Sequence, residues 1–156
     1  MNEAPRALSA DAAAIAALRG ARFFEGVPAE ILASLAAEAE FIEISAGETL
    51  FREGDGSSDL FVLRSGALAI LRRQLDGSNL RVGDVFSGET VGEMAMLTGD
   101  PRTATVVALR DSELVRLSRE AVAALVGRNP EVALAIARVL ARRLAKTHNA
   151  TRPVAR

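Results

Sequence analysis

Residues 46–71 read AGETLFREGDGSSDLFVLRSGALAIL, and three short apolar runs in that stretch, TLF, LFVL and ALAIL, alternate with glycine-bearing turns. Runs this short, punctuated at this spacing, predict β-strands joined by tight connections. The pattern extends in both directions. Upstream, FIEIS at 41–45 alternates apolar and polar residues. Downstream come the turn DGS at 76–78, the run VGDVF at 82–86, the turn SGE at 87–89, and the runs TATVVAL and SELVRL that end at Leu117. Many short strands of even spacing predict an antiparallel barrel or jelly roll over residues 41–117.

Both flanks are helical in character. In residues 1–40, Ser9 is a candidate cap, Ile15 and Leu18 share a face, and Gly20 ends the segment. A second helix starts near Pro28 and carries Ile31, Leu32 and Leu35 at helical spacing, with Phe23 and Phe24 plugging the junction. Residues 118–147 predict two more helices. Ser118 caps the first, which runs through Val126 until Gly127 and Asn129 break it, and Pro130 opens the second. That last helix carries a stripe of Val132, Ile136, Val139, Leu140 and Leu144, with Arg138, Arg142 and Lys146 opposite. Three placements suit it: over the barrel mouth, against a copy of itself, or on the core. Residues 148–156 read as a frayed end or the start of a linker. The fold expected is mainly β with flanking helices.

Composition narrows the function. The 156 residues suit one domain, and the net charge of −1 gives no global field toward DNA or anionic lipid. From Arg138 to Arg156 there are six basic residues and no acidic one, but cations also suit a helix C-terminus. With no cysteine, disulfides, thiolate catalysis and Cys-based metal sites are excluded. Arg138, Arg142 and Arg143 interrupt the best candidate for a membrane span. Glu3 and Asp11 stand where a signal peptide needs basic residues, so a cytoplasmic protein is expected. His148 is the only histidine, and neither a nucleophile elbow, a P-loop nor an HExxH motif occurs. Neither an enzyme nor a metal site is expected.

The chemistry concentrates in residues 91–106, VGEMAMLTGDPRTATV. Glu93 and Arg102, nine positions apart, are each set among small or apolar residues. A carboxylate accepts hydrogen bonds from sugar hydroxyls, whereas a guanidinium fork matches a phosphate. Thr103 adds a hydroxyl beside Arg102, Pro101 stiffens the loop, and Gly92 permits close backbone approach. A Glu and an Arg at this spacing also suit a plain ion pair across a turn.

The stretch resembles the phosphate-binding cassette of the cyclic nucleotide-binding domain family, which reads approximately Phe-Gly-Glu, apolar residues, a variable loop, then Pro-Arg-Ala-Ala-Thr-Val. Gly92, Glu93, Met94, Ala95, Leu97, Pro101, Arg102, Ala104, Thr105 and Val106 fit it. The resemblance runs from about Phe23 to Leu144 and includes AGETLFREGD and LFVLRSGAL. It implies a β-barrel flanked by helices, with Glu93 on the ribose 2′-OH and Arg102 on the cyclic phosphate of cAMP or cGMP. It also implies contacts from Gly92, Met94, Ala95, Thr103 and Ala104, and a C-terminal lid helix with Arg143 as its contact residue. Two residues depart from the pattern: Val91 replaces an aromatic, and Thr103 replaces an alanine common in cAMP-selective members. Nucleotide preference stays open, with cAMP ahead on base rate.

Two other readings stand beside the sensor. One is a degenerate member kept for protein contacts or dimerisation. The other is a DNA-binding regulator lacking its helix-turn-helix, since fewer than fifteen residues follow Leu144 and direct nucleic-acid binding is not expected. An attached effector domain or a partner chain would carry the output, and the last helix offers a seam for a homodimer. The sequence is also similar to regions preceding patatin-like phospholipase domains of the neuropathy target esterase type.

Overall fold

The computed structural model describes residues 10–150. Among them, eight strands form two four-stranded sheets in which every pairing is antiparallel. One sheet runs in the order β1 (Glu40–Ile44), β8 (Ser112–Leu117), β3 (Leu60–Ser65), β6 (Thr90–Val91). The other runs β2 (Thr49–Phe51), β7 (Thr105–Ala108), β4 (Leu68–Arg73), β5 (Asn79–Val85).

Strand β3 shows how the sequence dictates the layers. Its first four residues, LFVL, are all buried, which a strand with one wet face could not sustain. Side chains alternate across a strand, so the four divide between two cores. Phe61 and Leu63 enter the space between the sheets with Phe51, Leu68, Val85, Val106 and Leu114. Leu60 and Val62 face a helical layer containing Leu18, Phe23, Leu32, Leu125 and Ile136. The helices are thus stacked on the outer face of the β3 sheet.

That layer comprises α1 (Ala10–Gly20), a 3-10 turn at Arg22–Phe24, α2 (Ala29–Ala36), α4 (Arg119–Arg128) and α5 (Pro130–Ala150). Phe23 and Phe24 are buried between α1 and α2 with their rings edge to face at 5.1 Å, as expected of a junction plug. The Ser118 hydroxyl accepts a hydrogen bond from the Ala121 amide at 3.1 Å and caps α4. Ser9, the expected cap of α1, lies outside the described residues.

Three expectations at this end need correction. Gly127 does not break α4, which continues to Arg128; Asn129 ends it, its side-chain amide donating to the Leu125 carbonyl at 3.1 Å. Helix α5 continues past Thr147 to Ala150. Leu144 does not share the buried stripe: α5 packs through Val132, Ala135, Ile136 and Val139, and in the later turn it is Arg143 that faces the protein, at Glu93, while Leu144 is 62% exposed.

Candidate functional site

Between β6 and β7 the chain forms α3 (Glu93–Thr98), a helix of six residues that could not hold itself in water. Its surroundings hold it. Gly92 and Gly99 bracket it with φ of 86° and 76°, Ala95 and Met96 are buried, and Arg119 from α4 donates Nε–H to the Met96 carbonyl at 2.9 Å. Glu93 therefore occupies the first position of a fixed helix, where a carboxylate is favoured by the helix dipole.

Arg102 follows α3 and is 3% exposed. Its guanidinium stacks on the Phe51 ring at 4.0 Å and makes three hydrogen bonds, all to neutral acceptors. Nε donates to the Ser57 hydroxyl at 3.1 Å, Nη1 to the Gly92 carbonyl at 3.2 Å, and Nη2 to the Asp59 carbonyl at 2.9 Å. The loop before β3 is strapped to the same residue, because the Gly54 amide donates to the Arg102 carbonyl and the Arg102 amide to the Asp55 carbonyl, each at 2.8 Å. Burial lowers the guanidinium pKa from its ordinary value, opposed by the charges of Asp59, Asp55 and Glu93. Arg102 has no ion-pair partner among the described residues. A buried guanidinium with carboxylates near it but none in direct contact, and with two further N–H donors, has room in its hydrogen bonding for an anion.

Glu93 lies on the same pocket but does not pair with Arg102. Its Oε1 accepts from Arg143 Nη1 of α5 at 3.3 Å, so the plain Glu93–Arg102 ion pair across the turn is not formed. Glu93 Oε2 and the neighbouring Thr90 hydroxyl are buried without hydrogen-bond partners. Burial pushes the Glu93 carboxyl up from its ordinary value of 4.5; its own backbone amide, the charge and N–H of Arg143, and the adjacent Thr90 hydroxyl pull the other way.

The pocket, about 140 Å³, is lined by Phe51, Ile70, Val91, Gly92, Glu93, Met94, Ala95, Arg102, Thr103, Ala104 and Val106. All seven residues expected to touch a ligand are on its wall: Gly92, Glu93, Met94, Ala95, Arg102, Thr103 and Ala104. Arg143 is not on this wall and reaches the site through Glu93. Gly92 has a further reason to lack a side chain, because a Cβ there would lie 2.5 Å from Arg102 Nη1 and 2.7 Å from the Asp59 carbonyl oxygen. Sequence reasoning missed Ser57, Asp59 and Phe51, which lie more than forty positions before Arg102 and carry no local signal. Among the described residues no group of three or more His, Asp or Glu could hold a metal ion, and no helix is long and apolar enough to cross a membrane.

Residues 41–129 match the family model described as cyclic nucleotide-binding domain. The chain is 32% identical over 105 residues to the lysophospholipase nte1 of Neurospora crassa, covering 67% of this chain and 7% of that protein. It is 30% identical over 132 residues to the CRP-like cAMP-activated global transcriptional regulator of Mycobacterium tuberculosis, covering 85% of this chain and 59% of the regulator. The crystal structure of the N-terminal domain of a transcriptional regulator from Streptomyces coelicolor A3(2) superposes with a TM-score of 0.73 at 33% identity, covering 89% of this chain and 97% of that one. The chain thus spans well under a tenth of the lysophospholipase and just over half of the mycobacterial regulator.

Proposed function

Because the chain belongs to the cyclic nucleotide-binding domain family, we propose that it is a cytoplasmic sensor of a 3′,5′-cyclic nucleotide, cAMP ahead of cGMP, with no catalytic role of its own. The observation that carries this reading is a complementary pair of defects on one small pocket. Arg102 is a buried cation with spare donors and no direct ion-pair partner, and Glu93 Oε2 is a buried acceptor that makes no close hydrogen bond. A cyclic phosphate supplies the missing anion, and the ribose 2′-hydroxyl supplies the missing donor. Thr103 adds a hydroxyl at the phosphate side, and Gly92, Met94, Ala95 and Ala104 wall the sugar.

The coupling runs through α5. Arg143 already spans from α5 to Glu93, so a nucleotide that takes the free oxygen of Glu93 meets a carboxylate held by the lid helix. Occupancy then favours one placement of α5 by as much as the nucleotide's affinity differs between placements. Recognition belongs to the barrel of residues 41–117 with its cassette at 91–106, and readout to residues 118–147. The output passes to an attached effector domain or a partner chain, as the regulator and lysophospholipase relatives suggest. Helix α5 also leaves Leu134 and Leu144 exposed on its outer side, a seam for a second copy.

Competition titrations with cAMP, cGMP, 2′-deoxy-cAMP and 5′-AMP test the assignment. The expected order places a cyclic ribonucleotide first. Loss of the 2′-hydroxyl should cost at least about tenfold, as for a hydrogen bond to a charged group of ~1.5–3 kcal/mol. Equal affinity for 2′-deoxy-cAMP and cAMP would remove Glu93 from the sugar. No binding of any of the four would leave the fold as a protein-contact module.

A further inference from the structure

We propose that Ser57 is a modification site whose phosphate ester would neutralise Arg102 in cis and switch nucleotide binding off; this rests on Arg102 being the phosphate anchor. Ser57 is exposed, yet its hydroxyl oxygen is the acceptor for Arg102 Nε–H at 3.1 Å. The oxygen accepts that bond, so its own proton is free to leave. The two backbone hydrogen bonds between Arg102 and the loop residues Gly54 and Asp55, each 2.8 Å, hold Ser57 in register with the guanidinium.

The chemistry of the step is ordinary. A serine kinase with ATP as phosphoryl donor forms the Oγ–P bond as the bond from the γ-phosphorus to the ADP oxygen breaks, and the hydroxyl proton passes to the kinase's base. The product places a dianionic group, with three acceptor oxygens, one bond beyond an atom already touching Nε. Charge-assisted bonds to Nε–H and Nη2–H would replace two neutral ones. The two carboxylates nearby are engaged, Asp55 by the Arg52 amide at 2.9 Å and Asp59 by Arg116 Nε at 3.0 Å, which offsets part of their repulsion of a phosphate. A tethered phosphate also acts at an effective concentration in the millimolar range, far above a free signalling nucleotide.

The test compares wild type, Ser57→Ala, Ser57→Asp and protein carrying phosphoserine installed at position 57 during translation. Each is titrated with cAMP and cGMP and melted thermally, with and without Arg102→Met. Ser57→Ala, which removes the acceptor of the Arg102 Nε–H bond, gives the loss due to that contact alone, the baseline against which the charged forms are read. Phosphoserine and Ser57→Asp should weaken binding at least about tenfold and raise Tm, and the rise should vanish in Arg102→Met. Unchanged affinity in the phosphoserine protein overturns the switch. So does lost affinity without an Arg102-dependent rise in Tm, which would put the anion's effect elsewhere. If no form binds either nucleotide, the sensor reading has failed, and the melting shift still decides whether Ser57 and Arg102 form the contact. Peptide mass mapping of protein from its own cells is expected to find phosphate on Ser57; an unmodified serine across growth conditions overturns the modification.

Discussion

Gly92→Ala puts the construction of the anion site under the sharpest strain, and Gly77→Ala is its natural control. Both glycines have nearly the same backbone, φ 86° at Gly92 and 84° at Gly77. An L-residue in that region costs about 1–2 kcal/mol at either position. Their surroundings differ. A Cβ on Gly77 meets nothing within 4 Å, whereas one on Gly92 meets Arg102 Nη1 at 2.5 Å and the Asp59 carbonyl oxygen at 2.7 Å. Neither neighbour yields easily: Asp59 O is backbone, and Arg102 is wedged between three acceptors and a ring. Relief requires moving the guanidinium off the Gly92 carbonyl, a further loss of about 1.5–3 kcal/mol for a hydrogen bond to a charged group. The expected costs are then roughly 1–2 kcal/mol for Gly77→Ala and roughly 2.5–5 kcal/mol for Gly92→Ala. For a chain of this size each kcal/mol lowers Tm by about 2–4 °C, so the two variants should be separable by circular dichroism melting. Equal Tm losses would refute the reasoning, because the difference between them is the crowding around Arg102 and nothing else.

Glu93→Gln tests the buried carboxyl. The folded-state pKa of Glu93 is raised, so the folded state holds the proton more tightly than the unfolded chain, and stability falls as pH rises from 4.5 through the raised value. The variant should therefore melt above wild type at pH 7, with the gap closing as pH falls toward 4.5, while cyclic nucleotide binding weakens about tenfold. A pH-independent gap would contradict the burial argument. Arg143→Ala should leave Tm within about 4 °C, since a half-exposed ion pair is worth ~0–1 kcal/mol, but should speed nucleotide release in stopped-flow displacement; an unchanged off-rate would detach α5 from the pocket. Replacing both Leu134 and Leu144 with Ser should abolish any dimer in sedimentation velocity at little cost in Tm. A dimer that survives does not use that seam.

How much of this was legible in the sequence depends on how far apart the interacting residues lie. The strand run LFVL between its glycine-bearing turns was legible as a strand because short apolar runs between turn residues are a local pattern; that both its faces are covered emerges only in the fold. The cassette was legible for the same reason: Gly92, Glu93 and Arg102 reach the pocket from a single turn-helix-turn segment. The partners of Arg102 were not. Ser57 and Asp59 approach it through the folding of one sheet over another, and the acceptors at Gly92 and Asp59 are backbone carbonyls, which no sequence pattern distinguishes. Gly92 was expected to admit a ligand, and the structure adds that it also admits Arg102. Leu144 misled because its neighbour Arg143 is the residue that faces the protein in that turn, and successive residues stand about 100° apart round a helix.

Isothermal titration of nucleotide-free protein and of Arg102→Ala with cAMP and with cGMP, at a temperature where both are folded, decides whether Arg102 anchors a cyclic phosphate. The wild type is expected to bind saturably and one to one, and the variant to bind about ten- to a hundredfold or more weakly. Equal affinity in the two proteins, or no binding by the wild type in titration and in an independent radioligand assay, would contradict that role.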